Sequence, residues 1–255
     1  MNAIGLIALA TFFVALAATT AIARRCCAAP LAWTGLGFGA ALLTAFATVT
    51  PIGIVLTMVG EWLLRMTPGS LAYGTLNMGI VAPGFEELFR LLFLLVALAY
   101  LAGRNGSSWG LGLTFGLAWG LGELFLRCLG FFIILAGMEP PPILAAMGAT
   151  AVATPIDATL MFSGRLTIVF WHGAISVLII SGIRNSDARP IWAAIGLHLV
   201  GNAASFLLSV LVTPFAASLV VTLVVAAALF WVARKRTAHE PGRRLSSTRH
   251  PAPSG

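Results

Sequence analysis

The chain has 255 residues, of which 59% are hydrophobic and only 9% charged, and it carries a formal net charge of +7. Soluble domains carry about 25% charged residues, and a soluble core of this length cannot hide so much apolar surface, so a mean hydropathy of +0.99 excludes a soluble protein. The positive charge does not describe a nucleic-acid face either, because six of the fifteen basic residues (Arg234, Lys235, Arg236, Arg243, Arg244 and Arg249) crowd into the last stretch of the chain.

The expected fold is all-α: a polytopic transmembrane helix bundle with a central polar site. Apolar runs long enough to cross a bilayer, about 18–20 residues, occur near 3–23, 32–59, 71–103, 109–137, 165–183, 190–212 and 214–233. The first lacks a basic segment ahead of it, and Arg24 and Arg25 follow it, so it reads as a retained span and not a cleaved signal. The second, third and fourth runs are over-long and must tilt or break, with Pro51 and Pro83-Gly84 as the expected break points. Residues 140–164 open with Pro140-Pro141-Pro142 and contain Pro155 and Asp157.

The positive-inside rule decides that stretch. If it does not cross, Arg24, Arg25, Arg104, Arg184, Arg189 and the six tail residues share one side, against Arg65 and Arg165 on the other. This gives seven crossings with the C-terminus in the cytoplasm, and eight as the alternative. The membrane domain then covers 1–233. Residues 234–255, rich in Pro, Ser and Gly, form a disordered basic tail suited to anionic lipid. Arginine outnumbers lysine fourteen to one, a bias of GC-rich bacterial coding, so a bacterial plasma membrane is the expected location. Cys26, Cys27 and Cys128 show no zinc or redox spacing.

The informative residues are the polar ones inside these runs. A single charge at the centre of a membrane helix costs about 2.5–3.5 kcal/mol on insertion scales, yet Glu86, Glu87 and Arg90 occupy one turn of the third span. Glu123 and Arg127 lie in the fourth, His172 in the fifth, and His198 with Asn202 in the sixth. Glu86–Arg90, Glu123–Arg127 and His198–Asn202 are all i,i+4 pairs and share faces. Glycines around Glu123 allow close helix approach. Asp157 reads as a cap, and the aromatic residues read as packing or interfacial belt. Carboxylates that take a proton from water, imidazoles that bind metal or move protons, and an amide and a guanidinium that steady an oxyanion make up a hydrolytic set. The same residues also suit a structural ion-pair network or a proton relay.

Phe85-Glu86-Glu87-Leu88-Phe89-Arg90 resembles the FEExxR signature of the YhfC family of proposed intramembrane metallopeptidases, related to the CAAX-protease/bacteriocin-processing (Abi) and PrsW families. Gly116 to Glu123 resembles that family's glycine-rich segment ending in Glu. Arg165 to Ile179 resembles its Arg-led helix with a central His, and His198-x-x-x-Asn202 the HxxxN/D element of the wider group. The resemblance spans residues 70–212. The chain departs from the pattern at Trp119, where a His is expected, at Gly164, where a Glu is frequent, and at Ile168, in place of a Phe.

The resemblance implies an intramembrane peptidase. Glu86 or Glu87 would act as general base and Arg90 would tune it, with Asn202 stabilising the intermediate or orienting a His. His172, His198 and Glu123 would either ligate a metal such as zinc or work without one. The partners would be the lipid bilayer and a peptide or membrane-protein substrate, with no nucleic acid. The alternative is a non-catalytic membrane protein, either a small transporter with a proton relay or an inactive peptidase-like scaffold. The span ends above place His172 about 10 Å from the outer face and His198 about 12 Å from the inner one. The two rings would therefore meet only near the middle of the roughly 30 Å core.

Overall fold

A computed structural model describes residues 3–27, 30–49, 58, 71–100, 106–139, 154–211 and 214–238. Every regular element among them is helical. In chain order they are α1 (Ala3–Cys26), α2 (Pro30–Val49), α3 (Leu71–Leu76), a π-helical turn (Asn77–Val81), α4 (Ala82–Tyr100), α5 (Ser108–Leu135), α6 (Pro155–Asn185), α7 (Ala188–Leu211) and α8 (Pro214–Ala238). Among the described residues, α1, α2, α5, α6 and α7 are long and apolar enough to cross a membrane. The protein is thus an all-α membrane bundle.

Two expectations about proline need correction. The run 165–183 is part of a helix that starts ten residues earlier, at Pro155. Thr154 and Asp157 form a reciprocal capping box: the Thr154 hydroxyl accepts from the Asp157 N–H, and the Asp157 carboxylate accepts from the Thr154 N–H. Pro155 stands in the first turn, where its missing N–H costs nothing. It starts this helix inside the stretch 140–164, which the sequence alone keeps separate from the span at 165–183. At 31 residues, α6 is about 46 Å long, longer than a hydrocarbon core of about 30 Å.

The third span does not break at Pro83-Gly84, which lie inside α4. It widens one turn earlier, at Asn77–Val81, where the Ala82 N–H bonds to the Asn77 carbonyl. Proline clashes with the carbonyl four residues back and lacks an N–H to bond it. A π turn at that point relieves the clash without ending the helix. Pro51 and the 140–142 proline run lie outside the described residues.

The bundle is built around α5 and α6. Gly112, Gly116 and Gly120 of α5, spaced four apart, lie against the α6 backbone at Val177, His172-Gly173 and Val169. On another face of α5, Gly122 meets Ala41 and the Phe38 carbonyl of α2, and Gly37 of α2 meets the Phe115 carbonyl. Small residues permit such approaches, and van der Waals packing is what holds helices together in lipid. Helix α1 adds a stripe of small buried residues, Gly5, Ala8, Ala15, Thr19 and Ala23. Cys128 of α5 donates its thiol to the Ala8 carbonyl at 3.6 Å. Helix α8 packs on α6 and α7 through Ala226, Leu229 and Ala233.

A two-residue connection joins α6 to α7. Ser186 takes the left-handed conformation (φ 50°), and the Asp187 N–H closes the helix end on the Gly182 carbonyl at 3.0 Å. This tight hairpin lays α7 antiparallel to α6. His172 lies thirteen residues before the end of α6 and His198 ten residues after the start of α7, about 20 and 15 Å from the shared turn. The difference in depth expected from the sequence therefore shrinks to about one helical turn.

Gly120→Ala would drive a methyl into the Val169 Cα, 2.5 Å from the ideal Cβ position, whereas Gly35→Ala would meet nothing within 4 Å. Thermal unfolding in detergent should show a loss of about 1–3 kcal/mol for Gly120→Ala and little change for Gly35→Ala. Equal effects would refute the backbone-contact account of α5–α6 packing.

Candidate active site

Helix α4 contributes Glu86, Glu87 and Arg90 from one turn. Arg90 is fully buried, with 0% side-chain exposure, so its charge needs partners inside the protein. One nitrogen, Nη2, finds most of them. It donates to Glu86 Oε1 on its own helix and to Nδ1 of His172 on α6 at 2.7 Å, and it lies 3.3 Å from Glu87 Oε1. The guanidinium also stacks over the Trp119 ring of α5, 4.7 Å from its centroid, a cation–π arrangement.

These contacts fix the histidine protons. Because an arginine only donates, His172 Nδ1 accepts and Nε2 carries the hydrogen. Nε2 lies 3.2 Å from Glu123 Oε1, near enough for an electrostatic contact but not aligned as a hydrogen bond. His198 Nδ1 stands 2.5 Å from Glu87 Oε1. A carboxylate only accepts, so Nδ1 donates and Nε2 keeps a free lone pair, 4.0 Å from Glu86 Oε2. The two imidazole rings meet edge to face with centroids 5.4 Å apart.

Trp119 closes the cluster. Its indole N–H is shared between Glu86 Oε1 and Glu123 Oε1, each at 3.0 Å. Three helices therefore converge on Glu86. Burial divides the carboxylates: the Glu87 side chain is 1% exposed, while Glu86 and Glu123 are 19% and 23% exposed. Several buried polar atoms here have no protein hydrogen bond: Glu87 Oε2, Arg90 Nε and Nη1, and His172 Nε2. So many unmet groups around one point mark a polar interior suited to water or to a peptide group.

The structure brings together Glu86, Glu87, Arg90, Glu123, His172 and His198, and it leaves out Asn202. The Asn202 amide donates to the His198 carbonyl one turn back, at 3.1 Å, so it serves the helix that carries His198. Glu123, whose spacing also suited an ion pair with Arg127, faces Trp119 and His172, and Arg127 and Arg165 both lie near enough to feel its charge. The residue that sequence reasoning missed is Trp119, counted only as a departure from a family pattern. Its i,i+4 spacing to Glu123 was the available signal. Asp157 caps α6, as expected from the sequence.

Glu86, His172 and His198 offer ligand atoms that all lie within 4.8 Å of one another, a group that could hold a metal ion. In this grouping Glu86 stands where the sequence suggested Glu123, which lies beyond His172. The donors are right in kind, and Glu87 supports His198 as an outer carboxylate supports a metal-bound imidazole. Against this, Arg90 Nη2 already contacts two of the three donors, Glu86 Oε1 and His172 Nδ1.

Trp119→Phe removes one N–H shared by two carboxylates and leaves the ring packing. The expected loss is about 1.5–3 kcal/mol, the range for hydrogen bonds to charged groups, read from thermal unfolding in detergent. In a Glu123→Gln background the same change should cost clearly less. Additive effects would show that the shared hydrogen bond is not energetically coupled.

In comparisons with known proteins, no family model, no curated protein and no solved structure gave a significant match.

Proposed function

We propose that this protein is an intramembrane peptidase of a bacterial plasma membrane, hydrolysing peptide bonds in or beside the bilayer. The observation that carries this reading is the gathering of both imidazoles and Arg90, from three helices, around the partly exposed Glu86 carboxylate. A relay needs such groups strung across roughly 30 Å of hydrocarbon. Here Glu86 lies 3.4 Å from His172 Nδ1 and 4.0 Å from His198 Nε2, within reach of one water.

The proposed roles follow from exposure and tautomer. Glu86, partly open, takes a proton from the attacking water and delivers it to the leaving amine. Glu87, closed in, positions His198 through Nδ1. Arg90 fixes the Glu86 carboxylate through Nη2, and its unpartnered Nη1 and Nε are the donors available to a developing oxyanion. Asn202 contributes through the His198 helix and not at the reacting atoms. The substrate segment unwinds locally, since a helical scissile carbonyl is already hydrogen-bonded. Zinc is the ion that a two-His, one-carboxylate set suits by type. If bound, it would be held by Glu86, His172 and His198 and would polarise the scissile carbonyl.

We further propose seven crossings with a cytoplasmic C-terminus. Gly112, Gly116 and Gly120 of α5 meet Val177, His172-Gly173 and Val169 of α6 in reverse order, so the two helices run antiparallel, the relation that seven crossings require of them. Seven crossings also put Arg24, Arg25, Arg184, Arg189 and the basic tail on one side.

The test is cleavage of a panel of membrane-embedded model peptides in proteoliposomes, read by mass spectrometry. Glu86→Gln should lower cleavage by at least about 10²-fold with thermal stability retained, and Asn202→Ala should lower it far less. Cleavage undiminished in Glu86→Gln, or absent from wild-type protein across the panel, would return the chain to the non-catalytic readings.

A further inference from the structure

We infer that Arg90 is the resident cation of this site and that it excludes a divalent metal from the Glu86–His172–His198 donors. The inference rests on the peptidase reading only for its interest, since its test reads metal occupancy and not cleavage.

A metal held by these residues takes lone pairs from Glu86, His172 Nδ1 and His198 Nε2, the atoms that face one another. Arg90 Nη2 sits on two of them: it donates to Glu86 Oε1 and lies 2.7 Å from His172 Nδ1. A nitrogen lone pair that accepts a hydrogen bond is not available for coordination. The other His172 nitrogen does not help, because Nε2 carries the hydrogen and faces Glu123.

Arg90 also has nowhere to withdraw. Its side chain is 0% exposed, stacked over Trp119 at 4.7 Å and 3.3 Å from Glu87. Glu87 is committed to His198 Nδ1 on the same oxygen, Oε1. A dication at the donor centre would stand within a few ångströms of the guanidinium, in a medium that screens the repulsion poorly.

Away from the helix ends, the described residues of the membrane helices hold three carboxylates, Glu86, Glu87 and Glu123, and three guanidiniums, Arg90, Arg127 and Arg165. With neutral imidazoles the set is formally neutral. Arg127 and Arg165 lie where their charges reach Glu123. A bound dication would leave an uncompensated double charge within the helix bundle, which is unfavourable. Arginine thus takes the electrostatic place that a metal would hold, as a planar cation that cannot be lost by deprotonation.

The experiment uses the full chain in detergent, labelled with ¹⁵N-histidine and titrated with zinc chloride, with metal content measured after gel filtration. The expected result is no stoichiometric zinc and no saturable shift of the His172 and His198 resonances. His239 and His250, far from this cluster in sequence, serve as internal references. Arg90→Met, which removes the charge and keeps an apolar stem, should gain about one cobalt per chain with a tetrahedral absorption band. That band should be lost in Arg90→Met/His198→Ala. One zinc per wild-type chain, lost in His172→Ala/His198→Ala, overturns the inference. Failure of a folded Arg90→Met to bind any metal also overturns the assignment of exclusion to Arg90. If Arg90→Met does not fold, the wild-type histidine titration decides alone. Peptide cleavage is measured separately, so an inactive but metal-free wild-type protein would sink the peptidase reading and leave this one standing.

Discussion

A guanidinium sealed inside an apolar bundle is the constraint around which this structure is arranged. Arg90 is fully buried, so it demands acceptors at the cost otherwise of an uncompensated buried charge. The acceptors come from its own turn and from α6, and the aromatic face that covers it comes from α5. Glu87, drawn in to serve Arg90, then orients His198 of α7. One buried charge thereby ties four helices together in an interior where hydrophobic burial gives little preference among partners, because lipid is as apolar as leucine.

That demand can be met only if the helices stand close, and the glycines of α5 supply the closeness. With Gly116 against the His172 carbonyl and Gly120 against Val169, the His172 ring cannot drift from Trp119 and Glu123. The polar network supplies the specificity that the glycine stripe lacks. A run of small residues tolerates sliding by one repeat, whereas a shift of four residues would part Glu123 from His172. Packing sets the distance between the helices, and the buried charges set their register.

Composition made the all-helical membrane architecture legible at once, and the cost of intramembrane charge pointed to Glu86, Glu87, Arg90, Glu123, His172 and His198. What the sequence hid was geometry that depends on neighbours. The start of α6 at Pro155 was hidden because it depends on the capping box between Thr154 and Asp157. With α6 begun too late, His172 was placed about 10 Å from the outer face, although it stands at mid-helix. Trp119 read as packing because its N–H acquires meaning only when α4 places Glu86 across from it. Asn202 looked available because i,i+4 spacing does not say whether an amide faces a partner helix or its own backbone. Hydropathy and periodicity report which face is apolar. They do not report which atom a polar side chain meets.

The π turn before α4 shows how far the site depends on backbone away from it. Pro83 forces a wide turn at Asn77–Val81, and an added residue rotates everything after it by about 100° relative to α3. The same turn docks on α7, where Gly79 lies against the backbone of Ala203. Gly79 is two turns before Glu86, and Ala203 is about one turn beyond His198. The point where α4 is anchored to α7 thus sits just beside the pair that must meet, Glu87 and His198. Had Pro83 broken the helix, the phase of Glu86, Glu87 and Arg90 would be set by loop chemistry and could wander. Because it only widens the helix, the phase is set by a backbone contact that a glycine alone permits. The charged turn is therefore delivered to α6 and α7 at a fixed angle, and Arg90 meets His172 without a search.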